Sequence, residues 1–254
     1  MARYRKGKKE IRDTFVRRKV LEYTINLINS SLMDSSTERV VDYLIELIDL
    51  NQFKTLINKS KGKSTKLKDC ADFDDLVASL GRTKIINTVK TDILKYLENE
   101  LSNINEVTPT DKKLISIKKT FQLNDIEIEI LSLSYTLECS PILNTSFGSI
   151  VDLTEPYEFW IYGNEVLNID QHTFHDSIQS GKLDECGLME IDGSISHATW
   201  VETYLIGIKP NLKTQFYQKY EGPCVDLESH FLEEIEVDGL NQFLTNNQGA
   251  NILL

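Results

Sequence analysis

The sequence predicts a mainly α fold, with an N-terminal helical part followed by a winged-helix-like domain that carries one β-hairpin. Three observations predict it. Apolar residues recur at helical spacing along most of the chain. Capping signals and turn residues separate these runs. The clearest β signal is "GLMEIDGSISHATWV", two short runs joined at Asp192-Gly193, a dipeptide suited to a type I′ hairpin turn. Helices followed by such a hairpin are the ingredients of a winged helix. With 41% hydrophobic residues among 254, there is ample material for a packed core.

Taken in order, Val16, Val20, Tyr23 and Leu27 fall on one face of a first amphipathic helix. Ser35 with Glu38 has the form of a capping box ahead of Val41, Leu44, Ile45 and Ile48, a second helix. The polar stretch "NKSKGKSTKLKDCADFDD" reads as a surface loop, and Ile86, Val89, Ile93 and Leu97 as a third helix. Pro109 suits a helix start and places a domain boundary near residue 108. Leu114, Ile117 and Phe121 then give a short helix. Asn124 caps the next, with Glu127 at the reciprocal position and Ile126, Ile130, Leu133 and Leu137 on its face, and Pro141 ends it. "SFGSIVDLTEPYEFWIYGNEV" reads as loop with a short helix or two. "IDQHTFHDSIQSGKLDECGL" reads as helix–turn–helix, with Gly187 as a C-cap. Residues 1–108 thus form a basic arm and N-terminal helical domain, and residues 109–225 a winged-helix-like domain. Residues 226–254 hold a linker helix and a strand. The last of these, "NNQGANILL", turns and then rises into an apolar run, the way a buried strand begins, so the chain is expected to continue past Leu254.

Charge divides the chain more sharply than hydropathy does. The net charge of -11 combines nine Lys/Arg against two acids in residues 1–20 with four lysines against 22 acids in residues 121–254. The acidic half repels phosphate backbones, which argues against DNA binding there. Its candidate reading helix, in "QHTFHDSIQSGKLDEC", offers one lysine against three acids and few base-reading side chains. The basic arm is the one segment able to attract nucleic acid or an acidic protein surface. Its candidate contacts are Arg3, Arg5, Lys6, Lys8, Lys9, Arg17, Arg18 and Lys19. The alternative for these cations is pairing with the acidic body. Cys70, Cys139, Cys186 and Cys224 are scattered and point to reduced thiols in a cytoplasm. Neither a signal peptide nor a membrane-spanning run is present in the sequence, so no membrane partner is expected.

Catalytic and metal signals are sparse. Gly62-Lys63-Ser64 matches the tail of a phosphate-binding loop, but Ile57 stands where the leading glycine belongs. His172 and His175 share a helical face near Cys186, without the second ligand pair a zinc site requires, while His197 and His230 are isolated. The acidic pairs Glu127/Glu129, Asp184/Glu185 and Glu233/Glu234 read as solvated helix faces. No catalytic, cofactor-binding or metal-binding residue is therefore assigned.

The order of these pieces resembles the region upstream of the ATPase module in a group of bacterial AAA+ ATPases. "FQLNDIEIEILSLSYTLECSP" is similar to that group's acidic helix and leucine run. "KLDECGLMEIDGSISHATWVETYLIG" resembles its winged-helix ending. His230-Phe231 and "VDGLNQFL" resemble its linker, and "GANILL" its first core strand. The resemblance covers roughly residues 114–254. It implies a non-catalytic recognition or assembly region of a motor that remodels protein substrates. The motor's own module would act as a partner in cis, with ATP and Mg bound beyond Leu254 and no cofactor within residues 1–254. A stand-alone winged-helix adaptor for a protein partner, or a nucleic-acid binder using residues 1–20, are the alternatives.

Overall fold

A computed structural model describes residues 13–59, 73–190, 195–208 and Leu212. The chain divides into two compact units, Met1–Leu212 and Lys213–Leu254, and every described residue lies in the first. The described part is mainly helical, with one two-stranded antiparallel sheet. The expected linker helix and final strand at residues 226–254 lie outside the described residues, as does the Asp192-Gly193 turn.

Helix α1 (Thr14–Asn29) starts where Asp13 accepts hydrogen bonds from the backbone N–H groups of Phe15 and Val16, satisfying two of the helix's free donors. It packs against several later helices: α2 (Ser31–Ser35), α7 (Leu94–Ser102), α9 (Asp125–Cys139) and α10 (Pro156–Leu167). Its predicted face, Val16, Val20, Tyr23 and Leu27, is fully buried. The helix beyond α2, α3 (Thr37–Ile48), buries Val41, Leu44 and Ile48 as expected. Its start differs from the expectation. Ser35 closes α2, and Ser36 occupies the N-cap of α3 with no side-chain cap bond, so no Ser35–Glu38 capping box forms. The short α2 takes up the serine that the pattern assigned to α3.

Helices α4 (Leu50–Lys59) and α5 (Phe73–Leu80) flank the polar stretch, whose centre lies outside the described residues. Helix α6 (Arg82–Thr88) passes through a π-helical turn, Val89–Ile93, directly into α7. The buried residues Val89, Ile93 and Leu97 are spaced by four. A strict four-residue spacing drifts about 40° per step around a 3.6-residue helix. The wider π turn absorbs that drift and keeps all three on the core.

Helix α8 (Pro109–Phe121) carries Pro109 in its first turn and a full capping box between Thr108 and Asp111, a pairing the sequence reading missed. The predicted Asn124–Glu127 box at α9 is present. Helix α9 differs from its expected one-sided face. Ser132, Ser134, Tyr135 and Thr136 are buried along with Ile130, Leu131, Leu133 and Leu137. Its hydroxyls can be buried because Ser132 donates to the Ile128 carbonyl at 2.7 Å and Thr136 to the Ser132 carbonyl at 2.6 Å. Glu127 is therefore no solvated acid. It is buried, accepting from the Asn124 N–H and the Ser180 hydroxyl.

Helices α10, α11 (Gln171–Gln179) and the one-turn α12 (Lys182–Glu185) follow. Helix α12 ends as predicted at Gly187, with φ +61. Leu188 N–H bonds back to the Leu183 carbonyl and Gly187 N–H to the Asp184 carbonyl, the two bonds of a Schellman turn. The chain then enters β1 (Met189–Glu190), which pairs with β2 (Ser196–His197) in the register Met189↔His197 and Glu190↔Ser196. Helix α13 (Thr199–Leu205) closes against α8. One continuous hydrophobic cluster runs through the described residues on both sides of residue 108.

The α10–α11 contact sets a sharp packing limit. A Cβ on Gly163 would lie 2.5 Å from Phe174 Cζ, a ring that also packs on Phe159. Glycine inside a helix is otherwise unfavourable, so its presence here reflects close approach. Gly163→Ala is expected to destabilise the protein by about 1–2 kcal/mol, overpacking outweighing the gain in helix propensity. Urea unfolding would show it as a lower midpoint at unchanged slope.

Candidate functional site

The eight basic residues expected to meet a partner separate into two groups. Arg3, Arg5, Lys6, Lys8 and Lys9 lie outside the described residues. Arg17, Arg18 and Lys19 sit on α1, and each is engaged within the chain. Arg17 pairs with Glu100 of α7 at 2.8 Å. Arg18 bonds to Asp111 of α8 and lies over the Phe15 ring. Lys19 pairs with Glu129 of α9 at 2.7 Å and with Glu22 at 2.9 Å. For these three cations, pairing with the acidic body is what occurs.

Lys19 is the most enclosed of them, its side chain 10% exposed. Burial pushes its pKa down, but Glu129 and Glu22 more than offset this, so the ammonium is held above its ordinary value. Partial burial likewise pushes the Asp111 carboxyl up. Hydrogen bonds from Arg18 and from the Thr108 backbone and hydroxyl outweigh that and hold it below 3.8.

A second cluster gathers where α9, β2 and α13 meet. His197 is buried, its side chain 1% exposed, although β2 is only two residues long. Its Nδ1 is 3.2 Å from the Ser134 hydroxyl of α9, and its ring meets Tyr135 edge-on at 5.8 Å. On the opposite side, Nε2 lies 3.3 Å from Glu138 Oε2. That distance suits an ion pair, yet the alignment makes no hydrogen bond, and Nε2 has no hydrogen-bond partner among the described residues. Glu202, in the first turn of α13, completes the group, with ligand atoms of Glu138, His197 and Glu202 all within 4.8 Å of one another. Burial pushes the His197 imidazole below its ordinary 6.5, and the two carboxylates pull it part of the way back. Cys139 stands beside this group. Burial pushes its thiol up, and the bond with Tyr135 offsets that only partly, so it is a weak nucleophile at neutral pH.

The histidines singled out in the sequence do not join it. His172 forms an exposed pair with Asp176 on α11, while His175 stacks on Trp160 at 4.0 Å and bonds the Trp160 carbonyl. Gly62-Lys63-Ser64 and His230 lie outside the described residues. Ile57, however, is buried in α4, so a helix runs where a phosphate-binding loop needs an incoming strand. The sequence reading left His197 isolated because Glu138 is 59 positions away and nothing in the local pattern joins them. One signal was available. Ile195 and His197 alternate with Ser196, which directs His197 to the same buried side as Ile195.

No family model matches the chain, and neither do any curated protein or solved structure. Among the described residues, no helix is long and apolar enough to cross a membrane.

Two measurements follow from the pairs on α1. Asp111 gains protons less readily folded than unfolded, so its contribution is fully present above pH about 4 and is lost as pH falls through its lowered folded value. Asp111→Asn should therefore lower the unfolding midpoint at pH 7 and flatten stability against pH in the acid range. Lys19→Met, which leaves Glu129 and Glu22 without their cation, should cost about 1–3 kcal/mol, read by chemical denaturation. Added salt should change that difference less than it changes the more exposed Arg17–Glu100 pair.

Proposed function

We propose that this chain is a non-catalytic recognition and assembly region that works through protein contacts, the N-terminal part of an AAA+ ATPase that remodels protein substrates. The observation that carries the reading is the order of elements in space. Helices α10, α11 and α12 lead through a Schellman turn into an antiparallel strand pair whose β2 packs on α9, an order that supports the winged-helix reading. The AAA+ assignment rests on the resemblance of residues 114–254 to the segments upstream of that group's ATPase module.

Charge favours protein over nucleic acid as the partner of this part. Helix α11 has no lysine or arginine, and its Asp170 and Asp176 face solvent. Lys182 of α12 is bonded to the Gln122 carbonyl. A duplex-reading helix needs cations for the phosphates, and α11, although it exposes the amides of Gln171 and Gln179, presents Asp176 and no lysine or arginine. Apolar side chains are available instead. Val107, 60% exposed, stands just before α8 in the chain, and Ile206, 49% exposed, lines a cleft between the start of α8 and the end of α13. Ile208, 68% exposed, follows close by in the chain. Exposed apolar groups of this kind suit a protein contact.

Two measurements decide the reading. The coding sequence past the Leu254 codon is expected to continue into a Gly-rich loop ending in Gly-Lys-Ser/Thr. A stop codon there would remove the ATPase assignment and leave the adaptor. The isolated chain is expected to turn over no ATP above buffer. Turnover abolished by Lys63→Ala would overturn the non-catalytic reading.

A further inference from the structure

We infer that Glu138, His197 and Glu202 form a site for one divalent first-row transition cation of the zinc class, held by His197 Nε2 and the two carboxylates. Nitrogen and carboxylate oxygen together suit that class better than calcium or magnesium, which take oxygen ligands.

The orphaned histidine nitrogen is the leading observation. A buried ring nitrogen without a hydrogen-bond partner forfeits a bond that water would have supplied. His197 Nε2 is in that position, and it is aimed at a carboxylate 3.3 Å away without bonding to it. A cation between them removes the cost. Zinc holds nitrogen and oxygen ligands at about 2.0–2.2 Å, and tetrahedral angles then separate neighbouring ligands by about 3.4 Å. The observed 3.3 Å already has that spacing. Glu202, half-buried in the first turn of α13, needs to close from within 4.8 Å.

The far side of the ring is independently suited to the role. A metal-bound histidine usually fixes its tautomer by donating its other N–H to a neighbouring acceptor. Nδ1 lies 3.2 Å from the buried Ser134 hydroxyl. With that N–H donated to Ser134, the Nε2 lone pair faces the two carboxylates. Glu138 is also the penultimate residue of α9, where the helix dipole places negative potential and favours a cation. Three protein ligands leave a fourth position for water. The ion would join the end of α9 to β2 and to the start of α13.

The test is a titration of the full chain with Co2+, followed by its visible d–d absorption, with Zn2+ as competitor and thermal unfolding as a second readout. Expected is one saturable Co2+ per chain, displaced by Zn2+, with a raised unfolding temperature. Glu138→Gln and Glu202→Gln, both at residues outside the core, should each weaken binding at least about tenfold. Ser134→Ala should weaken it about 10–100-fold without removing a ligand. His172→Ala, in the exposed α11 pair, should leave it unchanged. Absence of saturable binding would overturn the inference. So would binding untouched by both Glu→Gln changes, and so would an intense thiolate-to-cobalt band that survives them, which would assign the metal to cysteine.

Discussion

Helix α1 is the element on which the described fold depends, and its constraint is enclosure. Nine of its sixteen residues are buried, and it is packed by α7 and the π turn, by α9 and by α10. Yet its sequence places three consecutive cations along it, with Lys19 buried, Arg18 partly buried and Arg17 exposed. An unpaired ammonium buried there would be prohibitive. Each cation instead finds an acid on a different neighbour: Glu100 on α7, Asp111 on α8, Glu129 on α9. Apolar burial supplies the stabilisation, and these pairs tie α1 to α7, α8 and α9. Polar ties from the other end act in the same sense. Asn26 donates to the Val166 carbonyl of α10 at 2.8 Å. Thr24, whose own hydroxyl donates to the Val20 carbonyl, accepts from Tyr43 of α3.

The same logic explains α9. A helix buried on most of its circumference is expected to be apolar throughout, but α9 carries Ser132, Ser134 and Thr136 in its interior. Two of these hydroxyls bond back along the helix. The third, on Ser134, is turned to His197. The histidine thus owes its place to the helix, because the hydroxyl provides a buried polar contact that the hairpin would not otherwise have. At its C-terminal end α9 contributes Glu138 as well. One helix therefore supplies both the core of this half and two of the polar groups around the buried imidazole.

In functional terms, the chain's cations are unevenly committed. Those on α1 are bound up in the fold, whereas the acidic residues of the later helices remain largely at the surface. Helices α10 to α12 expose the carboxylates of Asp176, Asp184 and Glu185 together with the Tyr157 ring, a surface whose charge repels phosphate.

The sequence by itself determined the helices with strong local codes. Pro109, the Asn124–Glu127 box and the Gly187 turn each act within a few residues, so their effect is fixed by bonds the local chain can make alone. It also determined the alternation at the hairpin and the charge asymmetry between the two ends. It misplaced the start of α3, because serines at 35 and 36 compete for one cap and only the packing of α2 decides between them. It could not show that α9 is buried over most of its circumference, since Glu127 looks solvated until a cap accounts for it and Glu129 until a lysine 110 positions away pairs with it. Nor could it assemble Glu138, His197 and Glu202. Hydrogen bonds and periodicity act over neighbouring residues. Bringing a helix end, a strand and a helix start together requires the whole apolar core to close first, and only the tertiary structure decides that.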